Sequence, residues 1–250
     1  MRPSTLDQQL VATISRYHGV TAPLLMRRYF VGQARSGVYK RLARLVRIGL
    51  LEDLATGPSN RSRPRDVPAL YVPTRAGLAW VASSLPATPV PLATMKHTLA
   101  VAEAGLYFEA LDPGGTVTTD REMRQQIASW RHLDGSATPV GVPWLGSDEL
   151  GSALSPRWGV SVKVRTHCPD LVVNIPGDGR TAIEVELTAK SEHRLRQTLE
   201  MYGRASKYRH VRYLVPDERM ERLVGRTLAS IDVTMRPQGM SIDRLTFLHQ

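Results

Sequence analysis

The 250-residue chain has a single cysteine, Cys168, so an internal disulfide and a cysteine cluster for zinc are both excluded. It also lacks long apolar runs: no stretch approaches the ~20 residues of a membrane-spanning helix. The opening MRPSTLDQQL has no apolar core of a secretory signal. Together these absences set the expectation of a cytoplasmic protein with no membrane partner. Lysine is scarce as well, with 5 Lys and 28 Arg. That bias fits a GC-rich genome, and it also suits phosphate recognition, because a guanidinium forks onto two oxygens at once. The last scarcity is local. Residues 1–81 hold only 4 Asp/Glu against 13 Lys/Arg, a net of +9, whereas the rest of the chain holds 19 against 20. Almost the whole formal charge of +10 therefore sits in the first third, which is the electrostatic pattern of a phosphate-backbone binder.

What is present in that third is a helical rhythm. Residues 7–18 place Leu10, Val11, Ile14 and Tyr17 on one helical face, and Gly19 ends the helix. Thr21 is positioned to cap a second helix with Pro23 in its first turn, and Gly32 marks the following turn. A third helix is expected from Ser36 to Ile48, with Val38, Leu42, Leu45 and Val46 as its apolar stripe and Gly49 as a left-handed stop. A strand at Leu50 and Leu51, the polar TGPSNRSRPRDVP, the strand ALYVP and the helix TRAGLAWV follow. This is the element order of a winged helix-turn-helix, assigned to residues 1–83, with a Pro-rich linker over 84–94.

In a helix-turn-helix the second helix of the motif enters the major groove. Opposite the apolar stripe of the third helix lie Ser36, Lys40, Arg44 and Arg47, with Arg35, Tyr39 and Arg41 beside them. The expected wing carries Arg61, Arg63 and Arg65, suited to a minor groove or a phosphate rail. The expected partner is double-stranded DNA. The competing reading is a solvated helix face and a plain charged loop. A homodimer would match paired DNA half-sites, although no dimer helix declares itself.

Residues 95–250 read as a second, α/β domain with a mixed sheet. A helix is expected over 95–110, then TTDREMRQQ. A Gly/Pro/Ser-rich insertion over about 130–158 contains Trp130, Trp144 and Trp158, read as local core before base-stacking residues. The strand patterns VSVKVRTH, LVVNI and AIEVEL follow, the last two joined by a hairpin at Pro176–Gly179. Gly177 and Gly179 fit that turn better than a phosphate-binding loop, since no helix with a Lys-Ser/Thr pair follows. Next come a helix over 192–207, the strand VRYLVP, a helix over 217–229 and a last strand.

Asp170 starts one strand, and Glu184 and Glu186 share a face of the next by strand alternation. Converging carboxylates of this kind hold Mg²⁺ for phosphodiester hydrolysis, and Glu122 is positioned to join from a helix. The competing reading leaves Glu184 and Glu186 in solvent, with Ile183, Val185 and Leu187 on the buried face. His167 and Cys168 alternate to opposite faces, which disfavours a site built on both.

Pro169-Asp170, a hairpin, Glu184-Val185-Glu186, then a helix and a strand resembles the PD-(D/E)xK nuclease core. The resemblance implies Asp170 and Glu184 as metal ligands and Mg²⁺ as cofactor if the domain is active. Glu186 stands where that core has its lysine, with Lys190 as a substitute cation, and this departure points to a degenerate nuclease. The whole chain, through YVPTRAGLAWV, MKHTLAVAEAGLYFEAL, TDREMR, PDLVV…AIEVELTAKS and RLRQTLEMYGR, resembles the replication-relaxation family of actinobacterial plasmids and integrative elements. That resemblance implies a role in replication, relaxation or transfer of mobile-element DNA, with other replication or transfer proteins as partners. A Mg²⁺-dependent endonuclease and a winged-helix transcriptional regulator are the alternatives.

Overall fold

The computed structural model describes residues 3–54, 69–131, 167–205, 207–237 and 239–245. They fall into two compact units, Met1–Leu111 and Asp112–Gln250. Among the described residues no helix is long and apolar enough to cross a membrane.

The first unit opens with helix α1 (Thr5–Arg16). Ser4 Oγ accepts from the Asp7 N–H at 3.3 Å, and Asp7 Oδ2 accepts from the Ser4 N–H at 2.6 Å. This reciprocal box satisfies two amides that a helix start leaves without partners. The stripe Leu10, Val11, Ile14 and Tyr17 is buried, as its spacing predicts. Strand β1 (Val20–Thr21), helix α2 (Ala22–Tyr29), helix α3 (Arg35–Arg47), strand β2 (Leu51–Asp53), strand β3 (Leu70–Pro73) and helix α4 (Arg75–Trp80) follow. The three strands form an antiparallel sheet in the order β1-β3-β2. Strand β1 was not expected. Thr21 precedes α2 as foreseen, but its hydroxyl makes no cap bond; the residue pairs with Leu70 in the sheet instead. Val38, Leu42 and Leu45 of α3 are fully buried, Val46 is half-buried, and Gly49 stops the chain at φ +76°.

Helix α5 (Met95–Leu111) was expected to open the second domain, but it packs against α2 within the first unit. Two features dock it. Gly105 faces the Tyr17 ring so closely that a Cβ there would overlap the ring. Glu109 Oε1 accepts from Arg16 Nη1 and from the Tyr17 hydroxyl, each at 2.7 Å, and Glu103 pairs with Arg27. The 84–94 segment is packed as well: Leu85 and Val90 are buried, and the His18 ring meets the Thr88 carbonyl at 2.7 Å.

The second unit is α/β with a mixed five-stranded sheet. Its elements are β4 (Thr116–Thr119), α6 (Asp120–Arg131), β5 (Leu171–Ile175), β6 (Gly179–Val185), α7 (Glu192–Arg204), β7 (His210–Val215), α8 (Glu218–Ala229) and β8 (Met240–Arg244). The strands lie in sequence order. β4, β5 and β6 pair antiparallel, whereas β6, β7 and β8 pair parallel, joined by the crossovers through α7 and α8. A core of Val172, Ala182, Val211, Tyr213 and Val215 from the strands meets Leu195, Leu199 and Tyr202 of α7 and Val224 of α8. The alternate residues Leu171, Val173, Ile183 and Leu214 are buried too. The centre of the sheet is therefore apolar on both faces, the burial expected where crossover helices cover parallel strands. Beyond the end of α6, the Trp-bearing insertion and most of the expected strand VSVKVRTH lie outside the described residues.

Candidate nucleic-acid interface and carboxylate cluster

Helix α3 carries most of the basic residues expected to touch DNA, and the structure separates them into two groups. Ser36, Lys40 and Arg47 are exposed on its outward row, with Arg35 exposed at the first turn and Tyr39 45% exposed beside them. Arg41 and Arg44 are only partly exposed and turn toward α1. Arg41 Nη1 lies 2.9 Å from Asp7 Oδ1 and donates to Ser4 Oγ at 3.0 Å, and Arg44 donates to Asp7 Oδ2. The Asp7 side chain is fully buried. Burial alone would raise its carboxyl, but the Ser4 amide and hydroxyl and the two guanidinium groups outweigh that and hold it below the usual aspartate value. The sequence offered no sign of this pairing, because Asp7 and Arg44 are 37 residues apart. Arg61, Arg63 and Arg65 lie outside the described residues.

In the second unit, four of the five residues expected to be catalytic surround the ends of β5 and β6. Asp170 Oδ2 accepts from the Val185 amide at 2.7 Å, which ties the start of β5 to the end of β6. Glu184 and Glu186 are both buried, so solvent faces neither carboxylate. Glu184 Oε1 accepts from His167 Nε2 at 2.6 Å and from the Tyr202 hydroxyl of α7. Lys190 Nζ stands 2.6 Å from Glu186 Oε2, an ion pair by distance though not a well-aligned hydrogen bond. The fifth residue, Glu122, caps α6: its Oε2 accepts from the Thr119 amide at 2.8 Å and hydroxyl at 3.0 Å, and Thr119 Oγ1 accepts from the Glu122 amide.

The electrostatics follow from this geometry. Burial pushes the Glu184 carboxyl up, but His167 and the Tyr202 hydroxyl reverse the shift and leave it lowered. For His167 burial pulls down, and the neighbouring Glu184 charge wins, leaving the imidazole raised. Tyr202 is held far above its ordinary value by burial and by Glu184. Glu186 and Lys190 respond unequally to their shared contact. Lys190 is raised despite burial, because Glu186 favours the ammonium, whereas Glu186 is also raised, because burial together with Glu184 and Asp170 outweighs Lys190. The direction for Lys190 is the one the close contact dictates.

Sequence reasoning missed His167, Tyr202 and Asp120. The amide of Asp120 donates to the Asp170 carbonyl at 3.0 Å, and burial raises the Asp120 carboxyl, with Asp170 adding to the effect and Arg124 opposing it. The TDREMR segment drew attention to Glu122, two positions beyond the residue that lies against Asp170. His167 stands edge-on to the Tyr202 ring, and Cys168 belongs to the buried cluster that contains Tyr202. Yet His167 has a function in the fold, while Cys168 is a buried thiol raised by burial.

These donors do not suit a divalent cation as they stand. Among the described residues no group of three or more His, Cys, Asp or Glu is placed to hold a metal ion. Glu184 Oε1 already receives two donors, and Glu186 is matched by an ammonium. Mg²⁺ needs oxygen ligands free to face it in near-octahedral geometry.

No protein-family model, curated protein or solved structure matches the chain.

Proposed function

We propose that this chain is a double-stranded DNA-binding protein whose first unit is a winged helix-turn-helix and whose second unit is a non-cleaving, nuclease-like domain. The observation that carries the reading is the exposed row Ser36, Lys40 and Arg47 on α3, in a unit whose helices and β1-β3-β2 sheet follow winged-helix order. An exposed, cationic helix following a short turn after α2 has the dimensions and charge to lie in a major groove. The net charge of the unit, 14 Lys/Arg against 6 Asp/Glu over residues 1–111, favours a polyanion. The resemblance to replication-relaxation proteins extends this reading to replication, relaxation or transfer of a mobile element's DNA, in the company of that element's other proteins.

The second unit supports scaffolding before catalysis. Its strand order, with Asp170 and Glu184 at the ends of neighbouring strands, is compatible with a nuclease-like ancestry. The two donors on Glu184 and the Glu186–Lys190 pair, however, give the motif's groups internal partners. The endonuclease reading draws on one observation, the concentration of shifted groups at this corner, which is common at active sites.

Both readings are tested with the full chain. Binding to duplex DNA should weaken steeply as salt rises, and a flat dependence of log K on log salt would end the DNA-binding reading. Supercoiled plasmid incubated with Mg²⁺ or Mn²⁺ should remain intact. Nicking by the parent and not by an Asp170→Ala/Glu184→Ala variant would establish the endonuclease instead. Tight, single-site binding to promoter DNA without any effect of replication proteins would favour the regulator.

A further inference from the structure

We propose that Asp7 partitions the basic residues of α3, committing Arg41 and Arg44 to holding that helix on α1 and leaving Arg35, Lys40 and Arg47 to meet the DNA phosphates. The inference rests on the DNA-binding reading and refines it. The sequence alone counts all five cations as DNA-facing and sets Arg44 in the same row as Lys40 and Arg47. The structure does not. Asp7 is fully buried and receives both guanidinium groups, one on each carboxylate oxygen, while Ser4 adds a further acceptor for Arg41. Lys40, Arg47 and Arg35 are exposed.

The arrangement has a physical logic. A guanidinium bonded to a buried carboxylate gives up that pairing only at the cost of an uncompensated charge inside the fold. Releasing it to a phosphate would exchange a contact with a fully buried carboxylate for a hydrated one. Arg41 and Arg44 are therefore poor counterion-releasing groups, although their formal charge is the same as that of Lys40. Their pairing instead fixes the rotation and tilt of α3 against α1, which sets the direction in which Ser36, Lys40 and Arg47 project. Asp7 is thus a positioning residue for the interface and touches no DNA itself. Arg44 stands one turn after Lys40, so losing Asp7 would free a guanidinium close to the outward row.

The salt dependence of binding separates this partition from a purely structural role. Using the full chain and a mixed-sequence duplex, each phosphate contact contributes about 0.9 to the slope of log K against log salt. Lys40→Ala and Arg47→Ala should each flatten the slope by about that amount. Arg41→Gln and Arg44→Gln should lower the melting temperature and leave the slope of the folded protein as it was. Asp7→Asn should steepen it, because guanidinium groups become available to phosphate. If Arg44→Gln flattens the slope as much as Lys40→Ala, or if folded Asp7→Asn leaves it unchanged, the partition is wrong while DNA binding stands. Should the Asp7, Arg41 and Arg44 variants fail to fold, the Lys40→Ala/Arg47→Ala double variant decides: a flattening well short of about 1.8 overturns the proposal. A parent protein with no slope at all would overturn the DNA-binding reading itself.

Discussion

Asp7 combines three tasks in one side chain: it closes the capping box of α1, and its two oxygens pair with Arg41 and with Arg44. Replacing it with Asn keeps a cap acceptor but leaves two guanidinium groups without their counter-charge. The expected cost is about 2 kcal/mol of stability, read as a lower urea midpoint near neutral pH. The pH dependence has a definite sign. The folded carboxyl is held below its usual value of 3.8, so its contribution is fully present above that value and is lost as pH falls through the folded one. The gap between parent and Asp7→Asn should therefore close in acid, and a gap that widens there would contradict the assignment. In the second unit, Tyr202→Phe removes one of two donors to the buried Glu184 and should cost about 1.5–3 kcal/mol, the range for hydrogen bonds to charged groups. The companion substitution Glu184→Gln should destabilise in a similar way, since it removes the charge that both donors face. Both are measured by chemical denaturation.

At the scale of elements, helix α5 shows how a segment's membership is decided. Its length and apolar character are plain from MKHTLAVAEAGLYFEAL, and its bounds agree with expectation. Which unit it joins depends on Gly105 meeting Tyr17 and on Glu103 and Glu109 meeting Arg27 and Arg16, contacts across 76 to 93 residues of chain that no local pattern encodes. Gly105→Ala should push α5 off the Tyr17 ring and cost about 1–3 kcal/mol, the usual penalty of overpacking, seen as a lowered melting temperature. A neutral result would mean that the ring moves aside freely. Strand β1 is the converse case. Two residues are too few to carry a period, and only the pairing of Val20 and Thr21 with Tyr71 and Leu70 makes them a strand.

For the molecule as a whole, the charge asymmetry is real but smaller in effect than the formal count implies. Of the 13 Lys/Arg in residues 1–81, Arg16, Arg27, Arg41 and Arg44 are bonded to carboxylates of their own unit. Among the described residues, Arg35, Lys40 and Arg47 form a short exposed row on α3, and Arg28 and Arg75 are exposed elsewhere. The second unit has an alternative basic track after Glu186, comprising Lys190, Arg194, Arg196 and Arg204. Lys190 is paired with Glu186, and Arg196 donates to the Ser230 carbonyl and hydroxyl. Arg194→Ala/Arg204→Ala should therefore leave the salt slope of duplex binding unchanged, measured beside Lys40→Ala. A loss equal to that of Lys40→Ala would move the interface to the second unit.

Periodicity marked the longer helices and strands, though not the two-residue β1, because a 3.6-residue or two-residue rhythm of apolar side chains singles out one face for burial. It determined the stop at Gly49, where φ +76° suits glycine, and the hairpin joining β5 to β6. Strand alternation put Glu184 and Glu186 on one face beside Asp170, whereas Lys190 entered through the resemblance to the nuclease core. Tertiary structure alone decided what those side chains do there. Glu184 became a buried acceptor for His167 and Tyr202, and Arg41 and Arg44 became the internal partners of Asp7. The physical reason is common to all of them. Secondary structure follows from neighbours a few residues apart, whereas the partner of a charge is whichever opposite charge or donor the fold brings within hydrogen-bond reach. A buried charge must find such a partner wherever in the chain it lies.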